Sequence, residues 1–139
     1  MRYILTALML AVMAVPALAV PLSGGAVSQS IIVGTLADAN NPVEMATAPE
    51  YTRLAVLRQR TTNTLLALAG NPRVPKARLQ IAVSIATSVQ AEADTARRLL
   101  DSTVGTKVMT PDITATIAAA RESISNGEYL YDSLGSITQ

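Results

Sequence analysis

Glu128 and Asp132 are the residues of this chain whose spacing comes closest to a ligand-binding site. They lie four positions apart, so on a helix both carboxylates would face the same side and approach one cation. A second segment would have to add ligands, and the acids available there are Glu92, Asp94 and Asp101. No dense Asp/Gly loop of the calcium type is present. We therefore expect a solvated acidic face and no metal site.

Residues for nucleophilic catalysis are scarce. The chain has no Cys and no His, which removes the thiol nucleophile, the imidazole base and the usual zinc ligands. A Ser–Lys pair would have to use Lys76 or Lys107, and neither lies in a motif that fixes such a pair. The glycines match no phosphate-binding loop. We therefore expect a protein that is not an enzyme, has no catalytic residues and carries no cofactor.

Charge is segregated along the chain. Every charged residue between Tyr51 and Ala91 is basic, namely Arg53, Arg58, Arg60, Arg73, Lys76 and Arg78. From Glu92 onward, acids predominate. Two interpretations stay open: the basic stretch contacts an anionic surface, or opposite charges pair within the bundle. For the first interpretation, the candidate interaction residues are those at the loop end of the first hairpin: Arg73, Lys76 and Arg78.

The first long helix is predicted from about Pro49 to Ala69, because proline breaks helix interiors and the prolines separate the chain into segments. Thr47 and Glu50 fit a capping box at its start. Gly70 is placed to be a left-handed cap at its end. Its apolar stripe consists of Leu54, Leu57, Thr61, Leu65 and Leu68.

Two further helices follow from an apolar repeat that alternates three and four residues. The second is predicted from about Pro75 to Val104, before Gly105, with the seam Leu79, Ala82, Ala86, Val89, Ala93, Ala96, Leu100 and Thr103. The third begins with Thr110 as its N-cap. Its seam is Ile113, Ile117, Ala120, Ile124, Gly127, Tyr131 and Leu134. Asn126-Gly127 is either a turn or part of a continuous helix with a close-packing glycine, and the unbroken repeat favours the continuous helix.

Together these segments predict an all-α fold, an elongated three-helix bundle in which a helical hairpin packs with a third long helix. The chain has no Phe, no Trp and four Tyr, so the core has to be built from Leu, Ile, Val and Ala. We expect one bundle domain over residues 47–139.

The first 19 residues have the three parts of a cleavable signal peptide. Arg2 is the basic residue, Ile4 to Val15 is the apolar run, and Ala17-Leu18-Ala19 offers small residues at the cleavage site. We expect export to the periplasm or the exterior, with a bacterial origin preferred. An uncleaved membrane anchor is the alternative. After cleavage we expect no membrane span.

Removal of the signal would take Arg2 from the 11 basic residues, leaving 10 against 10 acidic residues. A formally neutral chain argues against nucleic-acid binding. Residues 20–46 are expected to be a flexible arm whose apolar residues are candidate interaction residues: Ile31, Ile32, Val33 and Leu36. The alternative is that this arm folds back and covers its own bundle.

The expected function is that of an exported, non-catalytic structural or interaction protein of the cell envelope or exterior. It would bind a protein partner or itself through its heptad helical faces, with a possible contact between the basic hairpin end and an anionic surface. Two alternatives remain open. One is a subunit of a larger secretion, pilus or virion-associated assembly, and the other is a periplasmic protein that binds a ligand or a cation.

Overall fold

A computed structural model describes residues 38–137. The chain forms α1 over Pro42–Ala69, α2 over Lys76–Asp101 and α3 over Pro111–Ile137. No strand occurs within that range. The predicted all-α three-helix bundle is therefore confirmed.

The helices run up, down and up. Tyr51 meets Asp101 while Arg58 meets Asp94, so α2 is antiparallel to α1. Tyr131 of α3 reaches Thr64 of α1, further along both helices than the contact between Arg121 and Glu50, so α3 is parallel to α1. At 1.5 Å per residue, α1 is about 42 Å long, and the bundle is elongated.

The predicted seams form the core. The whole stripe of α1 is buried, as is the seam of α2 from Ala82 to Thr103. In α3, all members are buried except Ile113 and Tyr131, which are half-buried. Leu100, Ile124 and Leu134 are the largest side chains that are completely enclosed at the centre. Alanines fill much of the α2 seam, so neighbouring helices approach closely without large side chains.

Gly127 lies in the middle of a continuous α3. Of the two alternatives for Asn126-Gly127, the continuous helix is therefore confirmed and the turn is not. Gly127 is buried where α3 crosses α1 and α2. A Cβ at this position would lie 2.8 Å from Cδ2 of Leu57 and 3.6 Å from Cβ of Glu92. Glycine is therefore required by the space available between the helices, and its backbone conformation is ordinary.

The predicted start of the first helix is wrong. The helix begins at Pro42, and Asn41 caps it by accepting hydrogen bonds from the N–H groups of Val43 and Glu44 at 3.1 and 3.3 Å. Thr47 lies inside the helix, where its hydroxyl donates to the carbonyl of Val43 at 2.9 Å. Proline is well suited to the first helical position, and Pro49 removes only one hydrogen bond from a helix that is held by buried residues on both sides.

Two helix ends also differ from the prediction. Gly70 has φ −79°, so it is not a left-handed cap, and its N–H bonds the carbonyl of Leu66 at 2.9 Å. α2 ends at Asp101 and passes through hydrogen-bonded turns to Gly105, whose φ is +84°. The start of α3 is as predicted, because Oγ1 of Thr110 accepts from the N–H of Ile113 at 3.2 Å.

Candidate functional site: the basic end of the bundle

Ion pairs hold α1 against α3 along the sides of the bundle. The carboxylate of Glu50 is buried and accepts from Arg53 at 3.0 Å and from Arg121 at 2.6 Å. Arg53 also donates to Glu128 at 2.7 Å. The hydrogen bond to Glu128 is the main cause that raises the pKa of Arg53 above its usual value. For Arg53, the interpretation that opposite charges pair within the bundle is therefore the one observed.

A second ion pair joins α1 to α2. Arg58 donates through Nη2 to Asp94 at 2.5 Å, and Asp94 also accepts from Gln90 at 3.1 Å. Nε of Arg58 is buried and has no hydrogen-bond partner. Burial lowers the pKa of Arg58 from its usual value, and this effect exceeds the opposing attraction of Asp94. The pair therefore carries a desolvation cost that its single charged contact only partly offsets.

Tyr51 and Asp101 make a third link between α1 and α2. The hydroxyl of Tyr51 donates to the carboxylate of Asp101 at 2.7 Å, and Arg97 lies 3.5 Å from the same carboxylate. Burial, followed by the hydrogen bond to Asp101, raises the pKa of Tyr51 well above its usual value. The neutral phenol is thus the form that the fold favours.

Three of the acids that sequence spacing placed near one another are engaged by other side chains. Glu128 is bound to Arg53, Asp94 to Arg58, and Asp101 to Tyr51. Over residues 38–137, no three side chains of the metal-binding types come together.

Three cations gather at the end of the bundle where α1 ends and α2 begins. Arg73 lies in the connecting loop, and Lys76 and Arg78 lie in the first turn of α2. All three are exposed, and no carboxylate among residues 38–137 lies within 4 Å of them. We call this region the basic end. Of the basic residues between Tyr51 and Ala91, Arg53 and Arg58 thus form ion pairs within the bundle. The three predicted interaction residues face solvent.

The start of α2 adds to this positive field. Pro75 is its N-cap and supplies no side-chain hydrogen bond, and its first turn contains no acid. The free N–H groups of a helix start carry a partial positive charge. The start of α2 therefore has the same sign as the three cations, while the C-terminal ends of α1 and α3, at the same end of the bundle, carry the opposite partial charge.

The loop that carries Arg73 has a defined conformation. The side chain of Asn71 accepts from the N–H of Arg73 at 3.0 Å, and its carbonyl accepts from the N–H of Val74 at 3.1 Å. Val74 in turn packs against the core cluster that contains Leu68 and Leu134. Arg73 is thus presented from a backbone that is fixed by hydrogen bonds and by burial of the next residue.

An open groove of about 570 Å³ lies beside these cations, between α1, the loop and the end of α3. Its polar lining includes Arg73, Arg78, Asn63, Asn71, Thr64 and Tyr131. The hydroxyls of Thr64 and Tyr131 lie 3.1 Å apart. Val74, Ala67 and Ile137 supply apolar wall. The groove offers cations and hydrogen-bonding groups beside apolar surface, which suits a contact with an acidic, partly apolar group.

Sequence reasoning found the cations and missed the rest of the groove. Thr64 and Tyr131 are 67 positions apart, and Tyr131 was assigned only to the helix seam. The signal in the sequence was the tyrosine itself, because a tyrosine on an apolar seam needs a polar partner for its hydroxyl. Tyr131 is accordingly half-buried.

The opposite end has mixed charge. Its exposed acids are Asp38, Glu44, Asp101 and Asp112, and its exposed bases are Arg97, Arg98 and Lys107. The connection between α2 and α3 also exposes apolar side chains at this end: Val104, Val108 and Met109. We call this region the mixed-charge end. The two ends are separated by the length of the helices.

The other predicted interaction residues, Ile31, Ile32, Val33 and Leu36, lie outside the described residues, as do the predicted signal peptide and most of the arm. None of the three described helices is both long enough and apolar enough to cross a bilayer.

Comparison with known proteins gives no relative from which a role could be transferred. No protein-family model, no curated protein and no solved structure matches this chain. Its function has to be argued from the surface that the fold leaves available.

Proposed function

We propose that this chain is an exported, non-catalytic structural or interaction protein of the cell envelope or exterior, which binds an acidic protein surface through its basic end. The observation that carries the proposal is the contrast between paired and unpaired cations. Arg53 and Arg58 are bound to acids within the bundle, whereas Arg73, Lys76 and Arg78 meet no carboxylate of residues 38–137. Exposed charge that a fold does not use internally is available to steer a partner.

The position of the contact follows from what the bundle has already buried. The heptad faces of all three helices pack against one another inside the one chain. A partner would have to displace that core in order to reach them. The surface left for a partner therefore lies at the ends of the bundle and on its polar sides, and the basic end is the part with both a groove and concentrated charge.

A protein partner suits this surface better than nucleic acid. The groove has apolar walls and one tyrosine hydroxyl that is engaged with Thr64. Among residues 38–137, no row of exposed aromatic rings lies beside the cations to stack bases. The charge of the whole chain is only +1, and the predicted removal of Arg2 would make it neutral. A local cluster of charge on a neutral chain is suited to a specific electrostatic contact.

The test uses a synthetic acidic peptide, a fluorescently labelled run of glutamates, and fluorescence anisotropy at low and physiological salt. We expect the wild-type chain to bind and the variant Arg73→Gln, Lys76→Gln, Arg78→Gln to bind at least about tenfold more weakly. A control variant, Arg60→Gln with Arg98→Gln, removes exposed charge away from the basic end and should bind like wild type.

Equal binding by both variants would overturn the assignment to the basic end. Binding to phosphatidylglycerol vesicles without any binding to the peptide would overturn the protein partner in favour of a lipid surface. The export part is tested separately, by the intact mass of the chain recovered from an expressing bacterium. A periplasmic chain beginning at Val20 supports it, and a chain retaining Met1 in the cytoplasm contradicts it.

A further inference from the structure

We propose that the groove at the basic end holds an extended segment of the partner protein in which acidic residues flank an aliphatic residue. This inference rests on the proposed function, since it names the chemistry of the segment that the same surface binds. It is carried by the lining of the groove, which combines two arginines, hydrogen-bond donors and aliphatic side chains.

The charge that lines the groove is positive. Arg73 and Arg78 are both exposed, and no Asp or Glu of residues 38–137 belongs to the lining. Opposing charge lies nearby, because Asp132 is exposed in the last two turns of α3 and the C-terminal ends of α1 and α3 each carry about half a negative charge. Lys76 and the start of α2 offset part of it. The balance favours a ligand that brings carboxylates to the two arginines.

The two amide side chains of the groove are more available as donors than as acceptors. Oδ1 of Asn71 accepts from the N–H of Arg73 at 3.0 Å, and Oδ1 of Asn63 accepts from Gln59 at 3.2 Å. The side-chain N–H groups are therefore what Asn71 and Asn63 chiefly offer to a ligand. A ligand rich in acceptors suits such a lining, and a peptide supplies them both as carboxylates and as main-chain carbonyls.

Part of the groove is aliphatic. Val74 and Ile137 are half-buried members of its lining, and Ala67 is an exposed one. Gly135 belongs to the same lining, and an added Cβ there would meet nothing within 4 Å, so the absence of a side chain leaves space at this point. A leucine-sized side chain of a partner that enters this space would be removed in part from water and would gain stability by burial.

The mixture of polar and apolar groups favours a peptide over a lipid tail. The volume of about 570 Å³ lies within the range of about 300–1,000 Å³ that is usual for ligand pockets. A lipid tail would need a continuous apolar channel, whereas arginines, amides and hydroxyls interrupt the aliphatic surface here. The groove is also open to solvent, so an extended chain can run across it. A segment with acidic residues on both sides of an aliphatic one matches this lining.

The test uses two fluorescently labelled peptides of equal charge, which carry four glutamates around either a central leucine or a central serine. In fluorescence anisotropy at physiological salt, the wild-type chain should bind the leucine peptide about tenfold more tightly, since burial of leucine is added to the same charge contacts. Gly135→Phe should fill the groove and abolish this preference, while the serine peptide, held by charge alone, binds as before.

Two further variants complete the test. Ser136→Phe is the matched control, because it adds the same ring at the adjacent, exposed position, which is not part of the lining, and it should keep the preference. Ala67→Phe enters the groove from an exposed position of α1 and should act like Gly135→Phe. Far-UV circular dichroism of every variant confirms that the bundle is folded.

The outcomes separate this inference from the proposed function. Equal binding of the two peptides by the wild-type chain overturns the inference, as does a preference that the groove variants retain or that Ser136→Phe also loses. If both peptides are still weakened by substitution of Arg73, Lys76 and Arg78, the proposed function stands as a contact through charge alone. If neither peptide binds, both proposals are wrong, and binding of phosphatidylglycerol vesicles that Gly135→Phe blocks would then assign the groove to a lipid.

Discussion

The helix crossing at Gly127 gives the sharpest test of how closely this bundle is packed. In most helix interiors, replacing glycine by alanine stabilises a protein by about 0.5–1 kcal/mol, because alanine restricts the unfolded chain and favours the helix. At Gly127 the new Cβ would lie 2.8 Å from Cδ2 of Leu57. Ordinary contact between carbon atoms is about 3.5–4.0 Å, so one of the two side chains has to move.

Leu57 has little room to move, because it is 3% exposed. Overpacking of this kind costs about 1–3 kcal/mol. Subtracting the gain in helix propensity leaves a net destabilisation of about 1 kcal/mol for Gly127→Ala. Gly135 is the matched control in the same helix, since a Cβ there would meet nothing within 4 Å. Gly135→Ala should leave the stability unchanged or raise it by up to about 1 kcal/mol.

The assay is urea unfolding followed by circular dichroism at the helix band. With a slope of about 1–2 kcal/mol/M for a bundle of this size, the midpoint should fall by about 0.5–1 M for Gly127→Ala and should hold or rise for Gly135→Ala. Leu57→Val, which lacks Cδ2, should remove the conflict, so that adding Gly127→Ala to it is no longer destabilising. If Gly127→Ala raises the midpoint as Gly135→Ala does, the close approach of α3 to α1 is refuted.

Three further predictions concern the cap and the polar links. Asn41→Ala should lower the free energy of unfolding by about 1–2 kcal/mol, whereas Thr47→Val should change it by less than about 0.5 kcal/mol; the reverse order in urea unfolding would place the cap at Thr47. Arg58→Met, which keeps an apolar stem and removes the unpartnered Nε, should be as stable as wild type or more so, whereas Arg58→Ala should lose about 1–2 kcal/mol. Tyr51 should ionise at a higher pH than free tyrosine in a spectrophotometric titration. Because its pKa is raised above the unfolded value of about 10, the stability it contributes is complete below that pH and is lost above it. The advantage of wild type over Tyr51→Phe should therefore shrink as the pH rises beyond about 10, and a constant advantage would contradict the raised pKa of Tyr51.

The parts of the fold that sequence could predict are those that depend on periodicity. A spacing of three and four residues places side chains on one helical face whatever the neighbours are, which is why the seams were identified residue by residue. The same repeat predicted that α3 continues through Gly127. The residue that requires glycine at this position, Leu57 of α1, is 70 positions away in the sequence. From the sequence alone, the glycine could therefore be explained only as close packing against an unspecified neighbour.

The parts that sequence missed depend on tertiary context. Pro49 is a strong local signal for a helix boundary, and buried contacts on both sides overrode it. Gly70 is likewise suited to a left-handed cap, but it remains right-handed where its N–H bonds Leu66. The same holds for the candidate site. Its cations are close together in the sequence and could be predicted, whereas the groove beside them is formed only when the end of α3 packs next to the end of α1.

The buried carboxylate of Glu50 has a consequence for how the chain selects one alignment. Heptad seams repeat every seven residues, so a helix that slid by seven residues would again place seam positions opposite one another. On α1 an acid precedes a base, Glu50 and then Arg53, and on α3 a base, Arg121, precedes an acid, Glu128. Sliding α3 by a heptad in one direction would bring Glu128 to the level now held by Arg121, beside an enclosed carboxylate. These four side chains thus penalise shifted alignments in addition to the close fit of Gly127 against Leu57.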